Sequence, residues 1–273
     1  MIPDETYPNF KQFLFLVILY FTFHFAFTFI VIMPKVFGWP LLESFRPYFY
    51  SAAVPFINIP LILYVSHKSE LPVTWRINLP TVHFVLIVVI SAIAIRLLIQ
   101  PLINPTEYFS HLMEGRIKLL RFNVPEINAL MVIRFISLVI ITPVLEEIFW
   151  RKQIFGLFLK KYSPFVAMVL SSALFACAHF QTEIIGVIFF VGLLMAFVYY
   201  ITNSIELSIV LHSIFNLSAN FIEHKFVAIN AMRLIDGVTP MLISAIVLYL
   251  IIRYLVKNRL DRNDSPADKP IAL

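Results

Sequence analysis

From Phe10 to Met33 the chain runs without a proline, a glycine or an acidic residue, and Lys11 is its only formal charge. As a helix rising about 1.5 Å per residue, such a run spans a hydrocarbon layer roughly 30 Å thick. Cutting the rest of the sequence at Pro, Gly and charge clusters gives further apolar runs at 48–65, 82–100, 127–150, 164–181, 184–202, 205–223 and 238–256. The run at 48–65 is the least regular, because it holds Pro55 and Pro60. Hydrophobic residues make up 60% of the 273 and charged residues 14%, so lipid is the solvent for most of the chain. In hydrocarbon the backbone polar groups must be paired within a helix or a closed barrel, and these continuous runs lack the alternation of barrel strands. The expected fold is therefore all-α, a polytopic integral membrane protein with about eight transmembrane helices. It is organised as one membrane domain over residues 1–273. Residues 257–273 are polar, hold Pro266 and Pro270, and are expected to form a disordered tail.

Asp4 and Glu5 precede the first run where a secretory signal would carry basic residues, so that run reads as a retained span. Cys177 is the only cysteine, which rules out an intrachain disulfide. The formal charge of +5 is scattered over loops. No basic patch is interleaved with aromatic residues, which speaks against nucleic acid as a partner. Taking eight crossings, Lys and Arg are more frequent on the termini and even-numbered loops than on the odd-numbered ones, and both termini are expected in the cytoplasm. Between the third and fourth runs, Glu107 to Phe122 mixes Tyr108, Phe109, Leu112, Leu119 and Phe122 with Arg116, Lys118 and Arg121. It reads as an amphipathic helix lying at the interface.

Ionisable residues inside the apolar runs are the informative ones, because a charge at a helix centre costs about 2.5 to 3.5 kcal/mol on insertion scales. Three fall close together in Thr142-Pro-Val-Leu-Glu-Glu-Ile-Phe-Trp-Arg151. Glu147 and Arg151 are four apart, acid first, and stack on one helix face as an ion pair. Glu146 lies roughly 100° around the helix from its neighbour and is left to project elsewhere. Phe175 and His179 are also four apart, among small residues that allow close helix approach. His212 and Asn216 repeat the spacing in the next polar stretch. A carboxylate, an imidazole and a His/Asn donor pair converging below the membrane surface are the parts a water-activating hydrolase needs. His24, Arg96 and Arg134 also interrupt apolar runs; the two arginines read as snorkelling residues near span ends, and His24 as bonded to helix backbone.

Glu146-Glu147-Ile-Phe-Trp-Arg151 resembles the EExxxR motif of the CPBP intramembrane proteases, the family of type II CAAX prenyl endopeptidases and bacteriocin-processing proteins. Phe175-Ala-Cys-Ala-His179 resembles its FxxxH motif and His212-Ser-Ile-Phe-Asn216 its HxxxN motif. The likeness covers residues 127–223, the expected catalytic core. It implies that Glu146 and His179 activate water, that His212 and Asn216 stabilise the oxyanion, and that Glu147 and Arg151 are structural supports. The substrate it implies is a membrane-associated or prenylated peptide, and the setting the cell membrane of a prokaryote. Glu146, His179 and His212 also compose a two-His, one-carboxylate set, so zinc is the alternative to a glutamate mechanism without cofactor; the HExxH spacing is absent. Two other functions compete: a proton-coupled transporter, against which no repeat between the two halves is visible, and a catalytically silent membrane partner protein.

Overall fold

The computed structural model describes residues 10–39, 46–69, 80–103, 105–114, 116–122, 128–179, 182–228 and 234–258. Each apolar run is helical. In chain order the helices are α1 (Phe10–Val36), α2 (Arg46–Ser69), α3 (Val82–Leu98), α4 (Pro105–Met113), α5 (Ala129–Leu159), α6 (Pro164–Cys177), α7 (Ile185–Thr202), α8 (Ile205–Phe221) and α9 (Leu234–Lys257). Among the described residues, Lys11–Met33 of α1, all of α5 and α7, and Val238–Lys257 of α9 are long and apolar enough to cross a membrane; α3, α6 and Ile205–Ser218 of α8 are shorter apolar helices. The chain is an integral membrane protein of the all-α class, predominantly helical apart from one short two-stranded pairing. The expected disordered tail lies, from residue 259 on, outside the described residues.

Contacts divide the chain into two compact units, Met1–Ile77 with Glu126–Ser163, and Asn78–Pro125 with Pro164–Leu273. In the first, α1 packs on α2 and α2 runs along α5. Leu16 and Tyr20, one turn apart on α1, are buried, while Phe15, Phe25 and Phe29 are exposed and form the face left for lipid. Helix α2 stays continuous through Pro55 and Pro60 and buries Ile57, Leu61 and Val65 along one stripe. Gln153 of α5 donates to the Ile62 carbonyl of α2 at 2.9 Å. Helix α5 begins at Asn128, whose side chain accepts from the Met131 N–H at 2.9 Å. It is not regular: Ile136–Ile141 and Ile148–Phe155 are π-helical, and Thr142–Glu147 between them is α-helical. Pro143 explains the first wide turn. It has no N–H and its ring crowds the carbonyl four residues back, and the ladder is carried past it by a wider bond from the Thr142 N–H to the Ser137 carbonyl.

In the second unit α7 is the most enclosed of the spans and packs against α6 and α8. Gly192 sets the approach to α6, since a Cβ there would stand 3.3 Å from both Phe175 Cδ1 and Ser172 Cβ. The α7–α8 turn takes only two residues. Asn203 ends α7 in the left-handed conformation, φ 52°, a position short polar side chains tolerate. Ser204 then caps α8 by accepting from the Leu207 N–H at 3.3 Å and donates to Glu206 at 2.8 Å. Helix α3 packs against α8 and α9.

The segment 107–122 is not one amphipathic helix. Helix α4 stops at Met113, and β1 (Arg116–Phe122) pairs antiparallel with β2 (Ile222–Ala228), Arg116 opposite Ala228 and Phe122 opposite Ile222. Arg116-Ile-Lys-Leu alternates polar and apolar, a period that suits a strand once a partner exists. That partner lies far along the chain, where local periodicity carries no sign of it.

Candidate active site

The first motif sits at the junction of the α-helical and second π-helical turns of α5. Glu146 is 5% exposed, and Glu147 and Arg151 are fully buried. Glu147 Oε2 and Arg151 Nε form an ion pair at 3.1 Å, so the four-residue spacing brings acid and base together although the helix widens at Ile148. Glu147 makes the ion pair with the guanidinium, whose charge also acts on Glu146. Helix α1 supplies the wall beside Glu146. The Tyr20 ring stacks on Phe149 at 5.5 Å, meets Trp150 edge-on at 5.1 Å, and lies 4.7 Å from the His24 ring. Tyr20 is close enough to Glu146 for the two groups to interact electrostatically. Nothing in the first span singled Tyr20 out beforehand; the available signal was the pair Tyr20 and His24, four apart in an otherwise apolar helix.

The second and third motifs belong to the other unit and are joined by Phe175. Helix α6 ends at Cys177, and His179 follows in the turn, its N–H bonded to the Ala176 carbonyl at 3.2 Å. His179 Nδ1 lies 2.8 Å from the Phe175 carbonyl oxygen. A carbonyl only accepts, so Nδ1 carries the proton, and in the neutral ring Nε2 is left as the acceptor. The Phe175 ring meets His179 edge-on at 4.6 Å and His212 edge-on at 5.8 Å, one aromatic ring setting the orientation of both imidazoles. His212 is 3% exposed. Asn216, half-buried, follows one turn later on α8. Ser208 holds this helix to α7 by donating to the Met195 carbonyl at 3.3 Å.

Arg96 does not snorkel as expected. It is 7% exposed, and its guanidinium carbon lies over the Phe215 ring, 5.7 Å from the centroid. The reason is packing: α3 lies along α8, so the side chain finds an aromatic face before it finds water. Arg134, by contrast, is exposed. Glu183, in the 3-10 turn Thr182–Ile184, is exposed. Among the described residues, no group of three or more His, Cys, Asp or Glu within either unit is arranged to hold a metal ion.

Residues 128–218 match the family described as Type II CAAX prenyl endopeptidase Rce1-like. No curated protein and no solved structure matches the chain. The matched segment begins at the Asn128 cap of α5 and ends within α8, and it contains all three motifs in order. Residues 128–218 of this membrane protein are thus similar to the Rce1-like type II CAAX prenyl endopeptidases.

Proposed function

We propose that the protein is an intramembrane endopeptidase in which Glu146 and His179 activate one water. Glu146 takes a proton from the water as its oxygen attacks the scissile carbonyl, the unprotonated Nε2 of His179 receives that proton, and His179 then gives it to the departing amine as the C–N bond breaks, which returns both groups to their starting state. His212 and Asn216 donate to the oxyanion of the tetrahedral intermediate, a role worth about 2.7 to 4 kcal/mol per donor. Glu147 and Arg151 hold the first motif in place as a buried ion pair, and Glu146, by its place in the motif, is the reacting carboxylate. The tautomer of His179 carries this reading: a bond to the Phe175 carbonyl presents the unprotonated nitrogen that proton transfer requires. The family match, which contains all six residues, sets the reaction class. The substrate is a membrane-associated peptide, prenylated at a cysteine in the chemistry after which the family is described. The mechanism proposed needs no zinc.

Mass-spectrometric mapping of products from prenylated peptides, with wild type beside Glu146→Gln and His179→Ala, tests the assignment. Both variants are expected to fold and to lose cleavage by at least about two orders of magnitude. A Glu146→Gln protein of undiminished activity would end the proposal. Elemental analysis and activity after chelation test the cofactor reading; zinc bound in stoichiometric amount and needed for turnover would replace the water-activating glutamate with a metal site.

A further inference from the structure

We infer that Tyr20 is a positioning residue for Glu146: its hydroxyl holds the Glu146 carboxylate in the orientation from which that group takes a proton from water. The inference rests on the endopeptidase reading above and extends it to α1, which lies outside the matched segment 128–218.

Sequence and burial single the residue out. Helix α1 is rich in Phe and holds one tyrosine. That tyrosine stands near the middle of the span Lys11–Met33 and is 3% exposed. A buried phenol oxygen is costly unless it meets a polar partner. Phenylalanine fills the same space without that cost, so the oxygen calls for a partner within the fold.

Ring contacts fix which part of α5 it meets. Phe13 lies 5.0 Å from Phe158 and Tyr20 5.5 Å from Phe149, between ring centroids. The two helices therefore run antiparallel, and each further turn of α1 meets an earlier turn of α5. Tyr20 also meets Trp150 edge-on at 5.1 Å. Phe149 and Trp150 stand within one turn after Glu146, and side chains on a helix lean towards its N-terminus, here towards Glu146. With His24 4.7 Å away on its own helix, the Tyr20 ring has aromatic neighbours on both helices, which fixes its plane and the direction of its hydroxyl. The phenol and the Glu146 carboxylate are close enough to interact electrostatically. An ionised carboxylate only accepts, so the phenol is the donor of the two. The terminal torsion of a glutamate is soft; a donor held on one oxygen keeps the other aimed at the water. Tyr20 keeps its proton throughout.

The experiment uses the full chain in detergent. Tyr20→Phe removes one oxygen and keeps the ring, so its unfolding temperature is expected within a few degrees of wild type. Its kcat on prenylated peptides is expected to fall about 10- to 100-fold with KM unchanged, the range of a hydrogen bond to a charged group. In a Glu146→Asp background, where the carboxylate is withdrawn by one methylene, Tyr20→Phe should cost less than about threefold further. Infrared difference spectra give a readout that needs no substrate: the Glu146 carboxyl band, identified by its loss in Glu146→Gln, should shift in Tyr20→Phe. Undiminished kcat, an equal loss in the two backgrounds, or an unshifted Glu146 band each overturns the assignment. A shifted band in a protein that cleaves no peptide, or cleavage that survives Glu146→Gln, is instead a failure of the endopeptidase reading itself.

Discussion

Glu146 and Glu147 are adjacent in sequence, and the Arg151 charge acts on both. Glu147 shares a fully buried ion pair with Arg151, and this pair is stabilising only while both members are present. Removing one leaves a charge in an apolar interior, which costs about 3 to 5 kcal/mol, whereas replacing both by neutral groups of similar size is far milder. Arg151→Met is therefore expected to lower the thermal unfolding temperature in detergent sharply, and Glu147→Gln combined with Arg151→Met to recover most of the loss. Equal unfolding temperatures for the single and double variants would show that the pair is not coupled. The pairing was legible from spacing, since four residues bring side chains together in a helix. Arg96 and Arg134 show the limit of that reasoning. Both interrupt apolar runs, yet one is buried over an aromatic ring and the other exposed, because a neighbouring helix decides which surroundings an arginine finds.

At the scale of elements, the meeting of α6 and α7 carries the geometry of the two histidines. Gly192 lets Phe175 and Ser172 approach α7, and the Phe175 ring in turn touches His179 and His212. Gly192→Ala brings two opposed effects. Alanine favours the helix by about 1 kcal/mol over glycine, and the new Cβ must displace Phe175 and Ser172 from 3.3 Å by a few tenths of an ångström. These roughly cancel in stability. They do not cancel in catalysis, because any shift of the Phe175 ring moves both imidazoles. The expected outcome is an unfolding temperature within a few degrees of wild type and a kcat lowered several-fold, measured on the same preparation. Unchanged kcat would release Phe175 from the positioning role. The irregular course of α5 was partly readable: Pro143 announces a break in the ladder, but its resolution into π-helical turns on either side of Glu146 depends on how the helix is held.

For the whole molecule, membrane residence and helical class follow from composition, while the number of crossings sets where the termini lie. An even number, as the eight apolar runs suggest, would put both termini on one side, and the distribution of Lys and Arg predicts that this side is the cytoplasm. Reporter fusions at Met1 and Leu273, one active only in the cytoplasm and one only outside it, are expected to agree. Opposite readings from the two ends would mean that one apolar run does not cross. The shorter apolar helices α3, α6 and α8 are the first to examine in that event, since a span of about 20 residues is the usual requirement.

What the sequence determined by itself is whatever depends on neighbours along the chain: eight helical runs from continuous apolarity, the Glu147–Arg151 pair, and His212 with Asn216 from their four-residue spacing. The three motifs, read in order, pointed to the family that the segment 128–218 matches. Tertiary structure decided what depends on residues far apart. It ended the expected helix 107–122 at Met113, because β2 offers β1 a backbone partner. It placed Tyr20 of the first span beside Glu146 and turned Arg96 onto Phe215. Helix periodicity tells which face a residue occupies. Only packing tells what that face meets, and in an apolar interior the partner sets the cost of every charge.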